Sequence, residues 1–139
     1  MKRVLFDTNV LLDILLKRDP FYAVAAELWL RIESGDIEGL VSLPSLATIF
    51  YVVGRCVDEK TARQALNTMC RTLRIAEGPA EAGHMALRSR QPDFEDALQY
   101  AIAVLAKADC LVTRNPSDFP KHGRLPVMTP DKLLQRLGG

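Results

Sequence analysis

Val4-Leu5-Phe6-Asp7-Thr8-Asn9-Val10-Leu11-Leu12-Asp13 is the stretch from which the rest of the chain can be read. A short apolar run stops at a carboxylate, and a second resumes at helical spacing with Val10, Leu11, Ile14 and Leu15. A buried strand that hands over to a helix leaves this pattern. In open α/β sheets, ligand sites lie beyond the carboxyl ends of the strands. Asp7 is therefore the first candidate ligand of a divalent cation, and the claim requires further ligands from elsewhere in the chain.

Outward from this stretch, strands and helices alternate. Asp19-Pro20 reads as the cap and first-turn proline of a helix to about Glu33, burying Ala23, Ala26, Trp29 and Leu30. A second strand is expected from Glu38 to Leu43, and Pro44-Ser45 opens another helix. Asp58 caps the next, to about Arg71, and Thr72 to Ala76 alternates as a third strand. Pro79 begins a short helix to about Ser89, and Pro92 begins the most regular one, to about Lys107. Cys110 to Thr113 is a fourth strand and Arg124 to Met128 a short fifth; Thr129-Pro130 opens a final helix ending at Gly138-Gly139. The alternation predicts an α/β layer structure with a mainly parallel sheet. At 139 residues, with no repeat or linker visible, the chain is expected to form a single domain, 1–139.

With a net charge of +1, 48% hydrophobic and 25% charged residues, the chain is not a basic nucleic-acid trap as a whole, although a local basic patch is compatible with these numbers. Cys56, Cys70 and Cys110 are odd in number and contain no Cys-x-x-Cys pair, so they read as reduced, core-facing thiols of a cytoplasmic protein. Asp7 interrupts the N-terminal apolar run too early for a signal peptide. No apolar stretch reaches the length of a membrane span, and no membrane partner is expected.

Two further acidic clusters can join Asp7. Asp93-Phe94-Glu95-Asp96 opens the regular helix. At about 100° per residue, Phe94, Leu98, Ala101, Ile102 and Leu105 share its apolar face, and Asp93 and Asp96 can point away from it together. Glu95 projects about 100° from Asp96 and is expected to stay outside. Asp118 follows the fourth strand in Thr113-Arg114-Asn115-Pro116-Ser117-Asp118-Phe119. If the first and fourth strands are neighbours, Asp7, Asp96 and Asp118 meet at one sheet edge. There they repel unless a cation neutralises them, and an all-oxygen set favours Mg²⁺ or Mn²⁺. Zinc lacks ligands: only His84 and His122 are present, neither spaced to a cysteine. Thr8, Asn9, Thr113 and Asn115 are candidate supporting groups for the ligands or an attacking water.

Each acid also has an ordinary structural reading. Asp7 can cap the following helix. Asp93 can cap its helix with Asp96 in the first turn, and Asp118 can be a turn former. Asp13 reads as the solvent-facing residue of an apolar helix, with a place close to the site as the alternative.

Asp7 to Asp13, Asp93-Phe94-Glu95-Asp96-Ala97-Leu98-Gln99 and Thr113 to Phe119, in this order, resemble the motifs of a PIN domain, in particular of VapC-type toxins. The resemblance covers essentially the whole chain. It implies a three-layer α/β fold, a central parallel sheet of about five strands flanked by helices. It implies a Mg²⁺- or Mn²⁺-dependent endoribonuclease that hydrolyses RNA phosphodiester bonds, with Asp7, Asp96 and Asp118 as metal-binding and catalytic acids and Thr113 and Asn115 in support. It also implies a homodimer and silencing by a cognate antitoxin protein. Within the third motif, Arg114 is the candidate for holding substrate phosphate.

One departure stands out. The family pattern has a further acid early in the helix after the second strand, where this chain has Thr48, and no acid occurs between Glu38 and Asp58. Such a site would hold one metal instead of two, hold it weakly, or recruit Asp93 as a substitute. The competing reading is a catalytically weakened PIN-like module that binds RNA or protein. A phosphatase using Asp7 as nucleophile would want a general acid two residues on, where Asn9 stands. With only 6% aromatic residues, no stacking platform for single strands is visible.

Overall fold

The computed structural model describes residues 2–138. The elements are β1 (Lys2–Phe6), α1 (Thr8–Leu15), α2 (Tyr22–Glu33), β2 (Ile37–Ser42), α3 (Leu43–Cys56), α4 (Glu59–Thr72), β3 (Arg74–Ala76), α5 (Ala80–Arg88), α6 (Phe94–Leu105), β4 (Cys110–Val112), β5 (Val127–Met128) and α7 (Pro130–Arg136), with a 3-10 turn over Pro116–Asp118. The expected end of the last helix at Gly139 lies outside the described residues.

The five strands form one sheet in the order β3-β2-β1-β4-β5, and every pairing is parallel. β1 takes the centre because its side chains are apolar on both faces, as a strand covered on both sides must be. Val4 and Phe6 enter a core with α1–α4 and α7, where Leu11, Leu28, Ile49, Met69 and Leu133 are buried. Leu5, between them, points to the other face and packs with Ala101, Ile102, Leu111 and Phe119. The result is the three-layer arrangement expected from the sequence.

Chain direction from β1 goes one way to β2 and the other way to β4. The crevice between β1 and β4 is thus the topological switch point, where open α/β sheets place their sites. The Asp7 N–H donates to the Val112 carbonyl at 2.9 Å, carrying the ladder one residue past β1 and fixing Asp7 at that crevice.

Several local expectations differ. Pro20 sits in a turn after a cis peptide bond with Asp19, and α2 begins only at Tyr22. Apolar residues surround α2 almost completely, which leaves two stripes at helical spacing. The one against the core is Ala25, Leu28 and Ile32, whereas Leu30 is 56% exposed and Ala23 is also exposed. Cys56 is exposed, and only Cys110 is fully buried. Phe94 lies at the rim of α6 with half of its surface exposed. Asp58 caps α4 through its carboxylate, as its position predicts. Among the described residues no helix is long and apolar enough to cross a membrane.

Candidate active site

Asp7 occupies the N-cap position of α1, yet its side chain makes no capping hydrogen bond. The carboxylate turns into the crevice instead. Oδ1 accepts from Gln99 Nε2 at 2.9 Å and Oδ2 accepts from the Thr113 hydroxyl at 2.7 Å. Thr113 Oγ1 in turn accepts from the Asn115 N–H at 3.2 Å, which leaves the hydroxyl proton for Asp7. Gln99 is fixed from its other end, because its Oε1 accepts from the Thr8 N–H at 3.1 Å. Asp7 is 4% exposed. The cap reading of Asp7 is therefore replaced by that of a buried acceptor aimed by a helix, α6, and by a strand end.

Gln99 was given no role from the sequence. It lies one turn beyond Asp96, on the same side of α6, and that spacing is the signal that could have found it. Glu95 also departs from expectation. Its Oε2 is 2.7 Å from Thr8 Oγ1 and its Oε1 accepts from Thr48 Oγ1 at 3.2 Å. Thr8 Oγ1 also lies 2.8 Å from Ser45 Oγ, which lies 2.7 Å from Ser42 Oγ. A hydroxyl has one proton and a carboxylate can only accept. The one Thr8 proton is therefore shared between Glu95 Oε2 and Ser45 Oγ, while the Ser45 hydroxyl reaches Gln99 Oε1 at 3.4 Å. The hydroxyls of Thr8, Ser45 and Ser42, at the starts of α1 and α3 and the end of β2, thus cluster beside one carboxylate.

Asp93 caps α6, its Oδ1 accepting from the Asp96 N–H at 3.0 Å, and the residue is exposed. Asp96 is half-buried in the first turn. Burial, followed by the charges of Asp7, Asp93, Asp118 and Glu95, pushes its carboxyl up to about 7. Asp118 is exposed at the end of the 3-10 turn after β4. Because the folded Asp96 holds its proton more tightly than an unfolded one, its contribution to stability is complete below pH 3.8 and is lost as pH rises through about 7. In EDTA the melting temperature is expected to fall between pH 5 and 8 by an amount equivalent to about 2 kcal/mol, after discounting for solvent screening. Asp96→Asn should flatten this slope; a slope unchanged in that variant would place its origin elsewhere.

Arg114 and Asp13 depart from expectation together. Asp13 is 1% exposed, not solvent-facing. It accepts from Arg18 Nε at 2.9 Å and lies 3.0 Å from Arg114 Nε. The Arg114 N–H is not aimed along that line and has no hydrogen-bond partner, so this contact is an ion pair only. Burial outweighs Arg114 and Arg18 and raises the Asp13 carboxyl above its ordinary value. The Arg114 guanidinium also stands over the Phe21 ring at 4.1 Å. It ties the β4 loop to α1 and to the start of α2. Asn9 is exposed, and its backbone carbonyl, accepting from Arg18 Nη2, makes its contact here. Asn115 is likewise exposed and works through its backbone, whose carbonyl accepts from the Asp118 N–H at 3.0 Å.

The donor set suits a hard divalent cation. Asp7, Asp96 and Asp118 supply oxygen only, and among the described residues neither Asp7 nor Asp96 has an ion-pair partner. Among the described residues no three His, Cys, Asp or Glu side chains stand close enough together to hold a metal ion.

The sequence profile of the PIN domain matches residues 3–117. No curated protein matches the chain in sequence. Among solved structures, the chain is similar to a toxin–antitoxin complex from Klebsiella pneumoniae, with 27% identity and a TM-score of 0.68 over 91% of this chain and 97% of that one. It shares its fold with VapBC2 of Rickettsia felis bound to a promoter DNA fragment, at 20% identity, TM-score 0.69, 90% of this chain and 96% of that one. It also shares it with VapC20 of Mycobacterium tuberculosis, a sarcin–ricin loop cleaving toxin, at 17% identity, TM-score 0.64, 78% and 86% coverage. The profile takes in the segments of Asp7 and Asp96 and stops one residue short of Asp118, and on that match the chain belongs to the PIN domain family.

Proposed function

We propose that this PIN domain protein is a Mg²⁺- or Mn²⁺-dependent endoribonuclease acting as a single domain, and that it is the toxin of a VapBC-type toxin–antitoxin pair. The observation that carries this reading is Asp7: a buried carboxylate at the switch point of a PIN fold, held by Gln99 and Thr113 and without a cationic partner. Asp7, Asp96 and Asp118 would hold the cation, which when bound would neutralise the phosphodiester and lower the pKa of water, so that hydroxide is available as the nucleophile. The chain's own part is orientation. Gln99 and Thr113 aim both Asp7 oxygens, and the backbone of Asn115 sets Thr113. Arg114 keeps a quarter of its side chain exposed beside Thr113, a place from which it can meet phosphate.

The partner reading has its own support. An apolar cleft of about 380 Å³ runs between α1, α2 and α4, lined by Leu11, Ile14, Leu15, Trp29, Ala65 and Met69. A cleft of this kind seats the apolar face of a helix, and we assign it to a cognate antitoxin. Action as a homodimer in the cytoplasm completes the proposal.

The test is digestion of structured and unstructured RNA by the purified chain. Cleavage is expected with Mn²⁺ or Mg²⁺, lost in EDTA and restored by excess Mn²⁺. Cutting that persists in EDTA defeats the proposal. RNA binding without cutting would favour the weakened binding module, the reading that the missing acid at Thr48 supports.

A further inference from the structure

We propose that Glu95 supplies the fourth carboxylate of the cation site, reaching from α6 across to α3 and held there by the hydroxyls of Thr8 and Thr48. This rests on the metal-dependent reading above. Three observations carry it. First, α3 brings no acid of its own: between Glu38 and Asp58 the chain has none. α3 turns only hydroxyls toward the site, Ser45 against Thr8 and Thr48 against Glu95 Oε1 at 3.2 Å. Glu95 thus stands against the helix that lacks a charge.

Second, Glu95 is built in. Each of its oxygens takes a hydroxyl from a different element, Thr8 at the start of α1 and Thr48 in α3. Behind Thr8 Oγ1 lie the buried hydroxyls of Ser45 and Ser42, at 2.8 and 2.7 Å in turn. A surface glutamate placed only to favour the first turn of a helix has no need of such partners. Third, Glu95 is half-buried, and among the described residues it has no cationic partner within ion-pair distance. It is adjacent in sequence to Asp96, and its partner Thr8 is adjacent to Asp7. A half-buried carboxylate without a cation, fixed among carboxylates, is a cost that a divalent cation removes. Thr48 is then not a gap in the site. It holds a carboxylate that comes from the opposite helix.

The decisive experiment moves the charge. Mn²⁺ binding is measured by titration calorimetry on the purified full chain, with the melting temperature in EDTA as a folding control. Glu95→Gln keeps an oxygen for one of the two hydroxyls and is expected to lower Mn²⁺ affinity by about tenfold or more. Thr48→Glu alone sets a second carboxylate against Glu95 and is expected to give no gain. Thr48→Glu with Glu95→Gln returns the charge to α3, and affinity should come back to within a few-fold of the starting protein. Unchanged affinity in Glu95→Gln, while Asp7→Asn abolishes binding, overturns the role of Glu95 and leaves the metal site standing. A folded double variant that binds no better than Glu95→Gln overturns it as well. If the starting protein binds no Mn²⁺, the metal-dependent reading itself fails, and this assignment falls with it.

Discussion

Asp7→Asn is expected to reduce metal-dependent RNA cleavage about a hundredfold or more while leaving the metal-free protein as stable as before, to within about 1 kcal/mol. The two halves of this expectation have one cause. Asparagine has the shape of aspartate. Gln99 Nε2, now 2.9 Å from Oδ1, can still donate to an amide oxygen. Thr113 Oγ1, now 2.7 Å from Oδ2, can accept from the new NH₂, at the cost of freeing its own proton. Against that small loss stands the removal of a charge that is 4% exposed and has no cation beside it. The metal-free fold therefore changes little. Added Mn²⁺ separates the two proteins, because a ligand that binds only the native state raises stability by RT ln(1 + [L]/Kd), and the variant has lost a ligand. Melting curves in EDTA should coincide, and curves in Mn²⁺ should diverge. A variant that cuts RNA as fast as the original would show that Asp7 is not part of the catalytic centre. A variant that is unfolded in EDTA would make Asp7 a structural residue.

The sheet was legible from β1 outward because a strand covered on both faces has to be apolar throughout, and a carboxylate at its end has few places to go. The order β3-β2-β1-β4-β5 then puts the ends of β1 and β4 side by side, as the convergence of Asp7 and Asp118 required. What could not be read from spacing is the environment of α6. Helical periodicity by itself implies one buried side and one wet side. This helix buries Ala97, Gln99, Ala101, Ile102 and Ala103, residues that span more than one face. A rotation of about 100° from Asp96 thus leads toward Thr8 and Thr48 instead of into water. Asp13 departs from its expected place in solvent for a related reason. In an apolar helix a lone carboxylate belongs in solvent unless cations follow it inward, and one of the two that do, Arg114, comes from the far side of the sequence. α2 failed differently: two apolar stripes fit its sequence, and only the packing partners choose between them.

Asp13→Ala is expected to destabilise the protein by about 2–4 kcal/mol, which for a chain of this size lowers the melting temperature by several degrees. The pair energies alone would not give this. A buried ion pair gains little over apolar packing, because desolvation cancels most of the attraction; removing one member is what costs. Without Asp13, Arg18 Nε loses its acceptor at 2.9 Å and Arg114 loses its ion-pair partner at 3.0 Å. Their side chains are 35% and 25% exposed, so they can turn partly to water, and the expected loss sits at the lower end of the range for fully buried pairs. Arg114→Ala should cost less, about 1–2 kcal/mol, because Asp13 keeps Arg18, although the cation over the Phe21 ring is lost. In the double variant the loss should fall short of the sum of the two, as for groups that share one interaction. Salt at 1 M should leave the effect of Asp13→Ala largely intact, since a carboxylate that is 1% exposed is poorly screened. A loss under about 0.5 kcal/mol would mean that the two arginines find water without strain. Cleavage should fall along with stability, because Arg114 adjoins Thr113 in the chain and Thr113 holds Asp7 Oδ2. The clasp that Asp13 makes across α1 and the β4 loop then serves the site by keeping that hydroxyl where Asp7 needs it.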